Sequence, residues 1–203
     1  MAYKELIDKK IGEVYQAGIA TKILQHMDRI RNVSDTSQAR RWVMELFQNS
    51  RDVAYKEQPV KIRIVLEDKC LAFYHNGKPF RVKDILSIVN QVSSKSPDES
   101  TIGQFGTGFM TTYQLSEVVE INAVLKEEDL PYKPFSIQID RQGVKKEEIL
   151  DGIFQTMNEL KKADDAEELL NYSKDDYNTQ FKYHLIICIQ WMINKLHPKF
   201  IKP

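Results

Sequence analysis

Apolar and polar positions follow two rhythms along this chain, one helical and one extended, and the order in which they alternate sketches an α/β domain. Residues 4–31 carry Ile7, Ile11, Val14, Tyr15, Ile19, Ile23 and Met27 at helical spacing. The stretch Asn32-Val-Ser-Asp-Thr-Ser breaks that pattern with good capping residues, and a second helix is expected over about 38–54. Val60-Lys-Ile-Arg-Ile-Val-Leu then alternates as a strand. Cys70-Leu-Ala-Phe-Tyr makes its partner, with Glu67-Asp-Lys as the turn. A short helix is expected over 83–91, a Ser-rich mobile loop over 92–101, and a helix over 109–116. Two further strands fall at 117–125 and 135–140, an acidic helical region at 145–172, a strand from Asn178, and an apolar helix over 186–196. There is no internal repeat and no linker. Residues 1–203 therefore read as one domain, an α+β two-layer sandwich with a mixed, mostly antiparallel sheet and helices on one face. Its parts are an N-terminal helix (1–33), a motif-bearing core (38–125) and a C-terminal portion of the same domain (126–203).

Charge narrows the partners. The 203 residues include 29 basic and 29 acidic side chains, a formal balance of zero, so there is no electrostatic footprint for nucleic acid or an anionic membrane. The longest apolar run, 185–193, is interrupted by Gln190 and is too short to span a bilayer. The N-terminus lacks an apolar signal core. Cys70 and Cys188 lie in apolar runs and read as buried free thiols, with a disulfide as the minority reading. Together these features imply a soluble cytoplasmic protein or a piece of one.

Two stretches carry candidate chemistry. Ile102-Gly103-Gln104-Phe105-Gly106-Thr107-Gly108-Phe109 places three glycines within six residues, ahead of a predicted helix. Glycine lets backbone N–H groups approach an anion, and a helix start adds further unpaired donors. Upstream, Glu45-Leu-Phe-Gln-Asn49-Ser-Arg-Asp52 sets Glu45 and Asn49 one turn apart, with Asp52 continuing the stripe among Trp42, Val43, Leu46, Phe47 and Val53. An amide oxygen at Asn49 suits Mg²⁺, and a carboxylate at Glu45 could take a proton from a water attacking a phosphoryl group. By itself, E-x-x-x-N is equally an amphipathic helix with a solvated acidic face. A third stretch, Phe73-Tyr-His75-Asn-Gly77-Lys-Pro-Phe80, is a strand end followed by a turn.

In this order the three stretches resemble the GHKL superfamily, whose members share the Bergerat ATP-binding fold: DNA gyrase, the heat-shock chaperone of about ninety kilodaltons, histidine kinases and MutL. Residues 45–52 resemble the N-box, 75–80 stand at the first glycine box, and 102–109 resemble the second in its chaperone form. His-Asn-Gly-Lys-Pro-Phe is closer still to chaperone-like ATPase regions of the sacsin type. The likeness covers about residues 38–125 and adds Thr179 as a strand threonine near the adenine. It implies ATP and Mg²⁺ as ligands, with Glu45 as general base, Asn49 as metal ligand and Asp52 orienting the network behind them. His75 and Gly77 would lie at the base. The segment 103–109 (Gly103, Gln104, Phe105, Gly106, Thr107, Gly108, Phe109) would admit the phosphates. Ser94 and Lys95 would fall in the lid, Lys95 as a phosphate contact or as a solvated lysine. The implied activity is slow ATP hydrolysis used as a conformational switch, with dimerisation or attached downstream domains as partners. The alternative is a non-hydrolysing nucleotide sensor or interaction module. The sequence departs from the family at the first box, where His75 replaces the aspartate that accepts a hydrogen bond from the adenine amino group, and Pro79 replaces the second glycine. A histidine-kinase reading fails, because His26 lies on the predicted first helix and not on a separate phospho-accepting module.

Overall fold

Alternation of side chains across a pleated sheet explains most of this molecule. The computed structural model describes residues 3–32, 41–67, 69–91 and 108–185, with side chains from residue 15 onward. The chain runs α1 (Tyr3–Asn32), α2 (Arg41–Asp52), β1 (Ile62–Glu67), β2 (Cys70–His75) and α3 (Val82–Asn90). It continues through a 3₁₀ helix (Phe109–Gln114), β3 (Val118–Leu125), β4 (Lys133–Asp140), α4 (Lys146–Lys161) and β5 (Thr179–His184). The five strands form one sheet in the order β1-β2-β5-β3-β4, so the last strand is the central one.

All four ladders are antiparallel. The expected mixed sheet is corrected accordingly: among the described residues, the parallel element is a single isolated bridge between Phe80 and Leu125. Register puts Phe73, Phe181, Ile121 and Ile137 in one row across the sheet, and Leu71, Tyr183, Val119 and Ile139 in the next. All eight are buried. Side chains one residue out of phase, such as Lys182, Glu120 and Gln180, face the other side and are only half-buried. The apolar rows join Ile19, Ile23 and Met27 of α1, Leu46 of α2, Ile85 and Ile88 of α3, and Ile149 and Ile153 of α4 in one core. Burying each large side chain contributes about 1.5–3 kcal/mol.

The first helix packs on its own domain. Beyond the apolar stripe, Arg31 in its last turn donates to both carboxylate oxygens of Glu117 at 2.8 Å, and to the carbonyl of Arg141 at 2.8 Å. The bond to Glu117 holds the guanidinium pKa above its ordinary value.

Two helices differ from expectation. The acidic region after Lys145 leaves the α-helix at Lys161, not at 172. From there a run of i+3 backbone bonds, Lys162 to Glu159 and Ala163 to Leu160 among them, winds through successive turns. Residues 109–116 were expected as an α-helix and form a six-residue 3₁₀ helix instead. Thr111 and Thr112 return their hydroxyls to the carbonyls three residues back, at 2.9 and 2.7 Å, which favours the tighter winding. Cys70 is a half-exposed free thiol and not a buried one. Cys188, the expected loop over 92–101 and the expected helix over 186–196 lie outside the described residues. Among those described, no helix is long and apolar enough to cross a membrane.

Candidate functional site

The second helix is amphipathic, yet what it buries is not uniformly apolar: Leu46, Asn49 and Ser50 all face inward. Ser50 is satisfied within the helix, its hydroxyl donating to the Leu46 carbonyl at 2.7 Å. Asn49 is not. Its side chain is 6% exposed and the amide nitrogen has no hydrogen-bond partner. A buried amide left this way costs about 1–3 kcal/mol, so its retention calls for a reason.

One turn earlier stands Glu45, half-buried, with its carboxylate against the backbone of Gly108. A Cβ on Gly108 would overlap Oε2 of Glu45 and come within 3.0 Å of its Cδ. Only glycine permits that approach. One turn after Asn49 stands Val53, and it meets the other glycine turn. Its carbonyl accepts from Lys78 N–H at 2.8 Å, and its side chain occupies the space a Cβ on Gly77 would need. Glu45, Asn49 and Val53 thus form one stripe at successive turns of α2. Its two ends press on Gly108 and Gly77, and the unpartnered amide lies between. The role of Val53 was not anticipated from the sequence; the i+4 spacing from Asn49 was the signal for it.

At the Gly77 end, His75 closes strand β2 on the core face of the sheet, directly opposite Thr179 of β5. Each is 1% exposed. The imidazole Nδ1 accepts a hydrogen bond from Gly77 N–H at 3.0 Å, so this nitrogen carries no proton and the ring is neutral with its proton on Nε2. Burial pushes the His75 pKa down to about 4, in keeping with that state. Phe181 lies beside the ring with centroids 6.0 Å apart. The turn itself is pinned by Asn76, whose side-chain oxygen accepts from Lys61 N–H at 2.6 Å and whose amide donates to the Lys174 carbonyl at 2.9 Å.

The remaining expected residues are distributed as follows. Asp52 is half-buried at the end of α2, and the expected network linking it to Glu45 and Asn49 is not seen among the described residues. Phe109 is a core residue, 1% exposed and packed against Phe181 at 5.6 Å and Tyr113 at 5.9 Å, so only its backbone can serve a ligand. Ser94, Lys95, Gly103, Gln104, Phe105, Gly106 and Thr107 lie outside the described residues. His184 is on the outer face with Glu120, away from the stripe.

A separate surface cleft beside the Phe80–Leu125 bridge is lined by Arg81 and residues 126–130. Its polar groups are taken up locally, Glu127 accepting from Val82 N–H at 2.8 Å.

Among the described residues no group of three or more His, Cys, Asp or Glu side chains could hold a metal ion. The donor set here suits a hard cation that arrives with its own oxygen ligands. Turning the Asn49 amide over presents its oxygen to the space its nitrogen now faces, and Mg²⁺ takes one or two protein oxygens together with water and phosphate. Compared with known proteins, the chain matches no family model, and no curated protein matches it.

Proposed function

We propose that this domain binds a Mg²⁺–nucleoside triphosphate between α2 and the glycine segment ending at Gly108, and hydrolyses it slowly as a conformational switch. In the family its motifs resemble, that triphosphate is ATP. The observation that carries the reading is the stripe on α2: a carboxylate against a glycine backbone, then a buried amide with unmet hydrogen-bonding capacity, then a contact with the turn that follows His75.

Each residue has a distinct task in such a reaction. Glu45 accepts the proton of the attacking water as its oxygen bonds to the terminal phosphorus and the bond to the bridging oxygen breaks, releasing inorganic phosphate and the diphosphate. Asn49 offers its amide oxygen to Mg²⁺, which when bound neutralises charge on the phosphates. Gly108, lacking a side chain, leaves its backbone open toward the carboxylate. The His75–Thr179 pair closes the opposite end, where a base would rest on Phe181.

Replacing Glu45 with Ala separates binding from chemistry. With ATP and ITP assayed in parallel, hydrolysis is expected to fall by about 10²–10⁴ while calorimetric binding survives. Equal turnover in E45A and the native protein would remove Glu45 from the mechanism. Binding without turnover in the native protein would point to the nucleotide sensor instead.

A further inference from the structure

The His75 turn carries information about the ligand that goes past the phosphate chemistry. Its Nδ1 is occupied as an acceptor by Gly77 N–H at 3.0 Å, and the ring is held between Thr179 across the ladder and Phe181 beside it. The contact with Gly77 leaves no room for the ring to turn over freely. A Cβ on Gly77 would come within 2.9 Å of Nδ1, and the Val53 side chain closes the far side of the glycine. What this imidazole can still offer is therefore a single N–H at Nε2, a donor with no acceptor capacity.

We infer that this site prefers a purine with a carbonyl at position 6, a guanine or hypoxanthine nucleotide, over adenine. The inference rests on the nucleotide reading above, in which His75 stands at the 6-substituent of the base. A carboxylate at that position accepts from an exocyclic amino group. The fixed Nε2–H meets that amino group donor to donor, and meets a 6-carbonyl donor to acceptor. Mismatched polarity inside a dry site leaves two buried donors unsatisfied, the arrangement that discriminates most strongly between close analogues. Thr179 does not reverse the preference, since a hydroxyl can donate or accept. Burial, which keeps the ring neutral, also keeps its Nδ1 acceptor committed to Gly77.

The test is calorimetry of the full chain with Mg·ATP, Mg·GTP and Mg·ITP. ITP is the sharper probe because it lacks the 2-amino group of GTP. The expected result is ITP and GTP binding about 10-fold tighter than ATP or better. In His75→Asn, whose amide can present either a donor or an acceptor, that ratio is expected to collapse toward unity, with thermal melting showing that the variant folds. ATP binding as tightly as ITP to the native chain would overturn the inference while leaving the nucleotide reading intact. So would a folded H75N variant with an unchanged ratio. No binding of any of the three at millimolar concentration would sink the underlying reading, and the preference with it.

Discussion

The two ends of the α2 stripe solve opposite problems with the same residue type. At Gly108 a glycine makes room for a charged, half-buried carboxylate, and the neighbouring Asn49 amide is left with hydrogen-bonding capacity to spare. At Gly77 a glycine makes room for a neutral imidazole, and its N–H consumes the ring's acceptor. One end is unfinished without a partner; the other has its polarity already set. A site arranged this way leaves reactivity at the carboxylate end and selectivity at the imidazole end, with Asn49 and Val53 tying the two through one rigid helix.

Acid should break the comparison at the imidazole end first. The folded His75 pKa of about 4 lies below the ordinary value of 6.5. Between those values the unfolded chain binds the proton and the folded one does not, so stability falls as pH drops through that window. The full loss is about 3 kcal/mol by pH 4, read as a fall in the urea midpoint. H75N should flatten this part of the profile, and a native profile with no such slope would show the ring to be solvated.

The carboxylate end should break with Gly108→Ala. The added methyl displaces Glu45, and turnover is expected to drop about 100-fold with little change in stability. An unchanged rate would mean that the approach of Gly108 to Glu45 has no part in the chemistry. A smaller effect is expected far from both ends. Arg31→Ala removes the paired bonds to Glu117 and should cost about 1–2 kcal/mol of stability while leaving nucleotide binding unaltered. If it weakened binding as well, the stripe would not be the self-contained unit described here.

The elements with an unambiguous period were legible in the sequence. The β1–β2 hairpin and α3 fall within a residue or two of their expected bounds, because alternation in Ile62–Glu67 and the apolar spacing of Ile85, Ile88 and Val89 admit one reading. The region after Lys161 was not legible, since Lys-Lys-Ala-Asp-Asp-Ala has helical propensity throughout and only tertiary packing around the buried Ala163 ends the helix. The 3₁₀ winding depended on two threonine hydroxyls whose choice of partner no spacing reveals. Within the site, the shared face of Glu45 and Asn49 followed from the helical period, but the pairing of His75 with Thr179 depends on strand register across more than a hundred residues. Arg141 was invisible: it follows β4 in what reads as a loop, yet it is fully buried and donates to the Val89 carbonyl at 2.6 Å.

The most direct test of the central claim is calorimetric titration of a purine nucleoside triphosphate into the native domain and into Asn49→Ala, each with and without Mg²⁺. The expected result is Mg²⁺-dependent binding to the native protein, with the Mg²⁺-dependent part lost in N49A, at a cost of about 10-fold or more in affinity. Identical affinities in all four titrations, or no binding to the native protein at millimolar nucleotide, would contradict it.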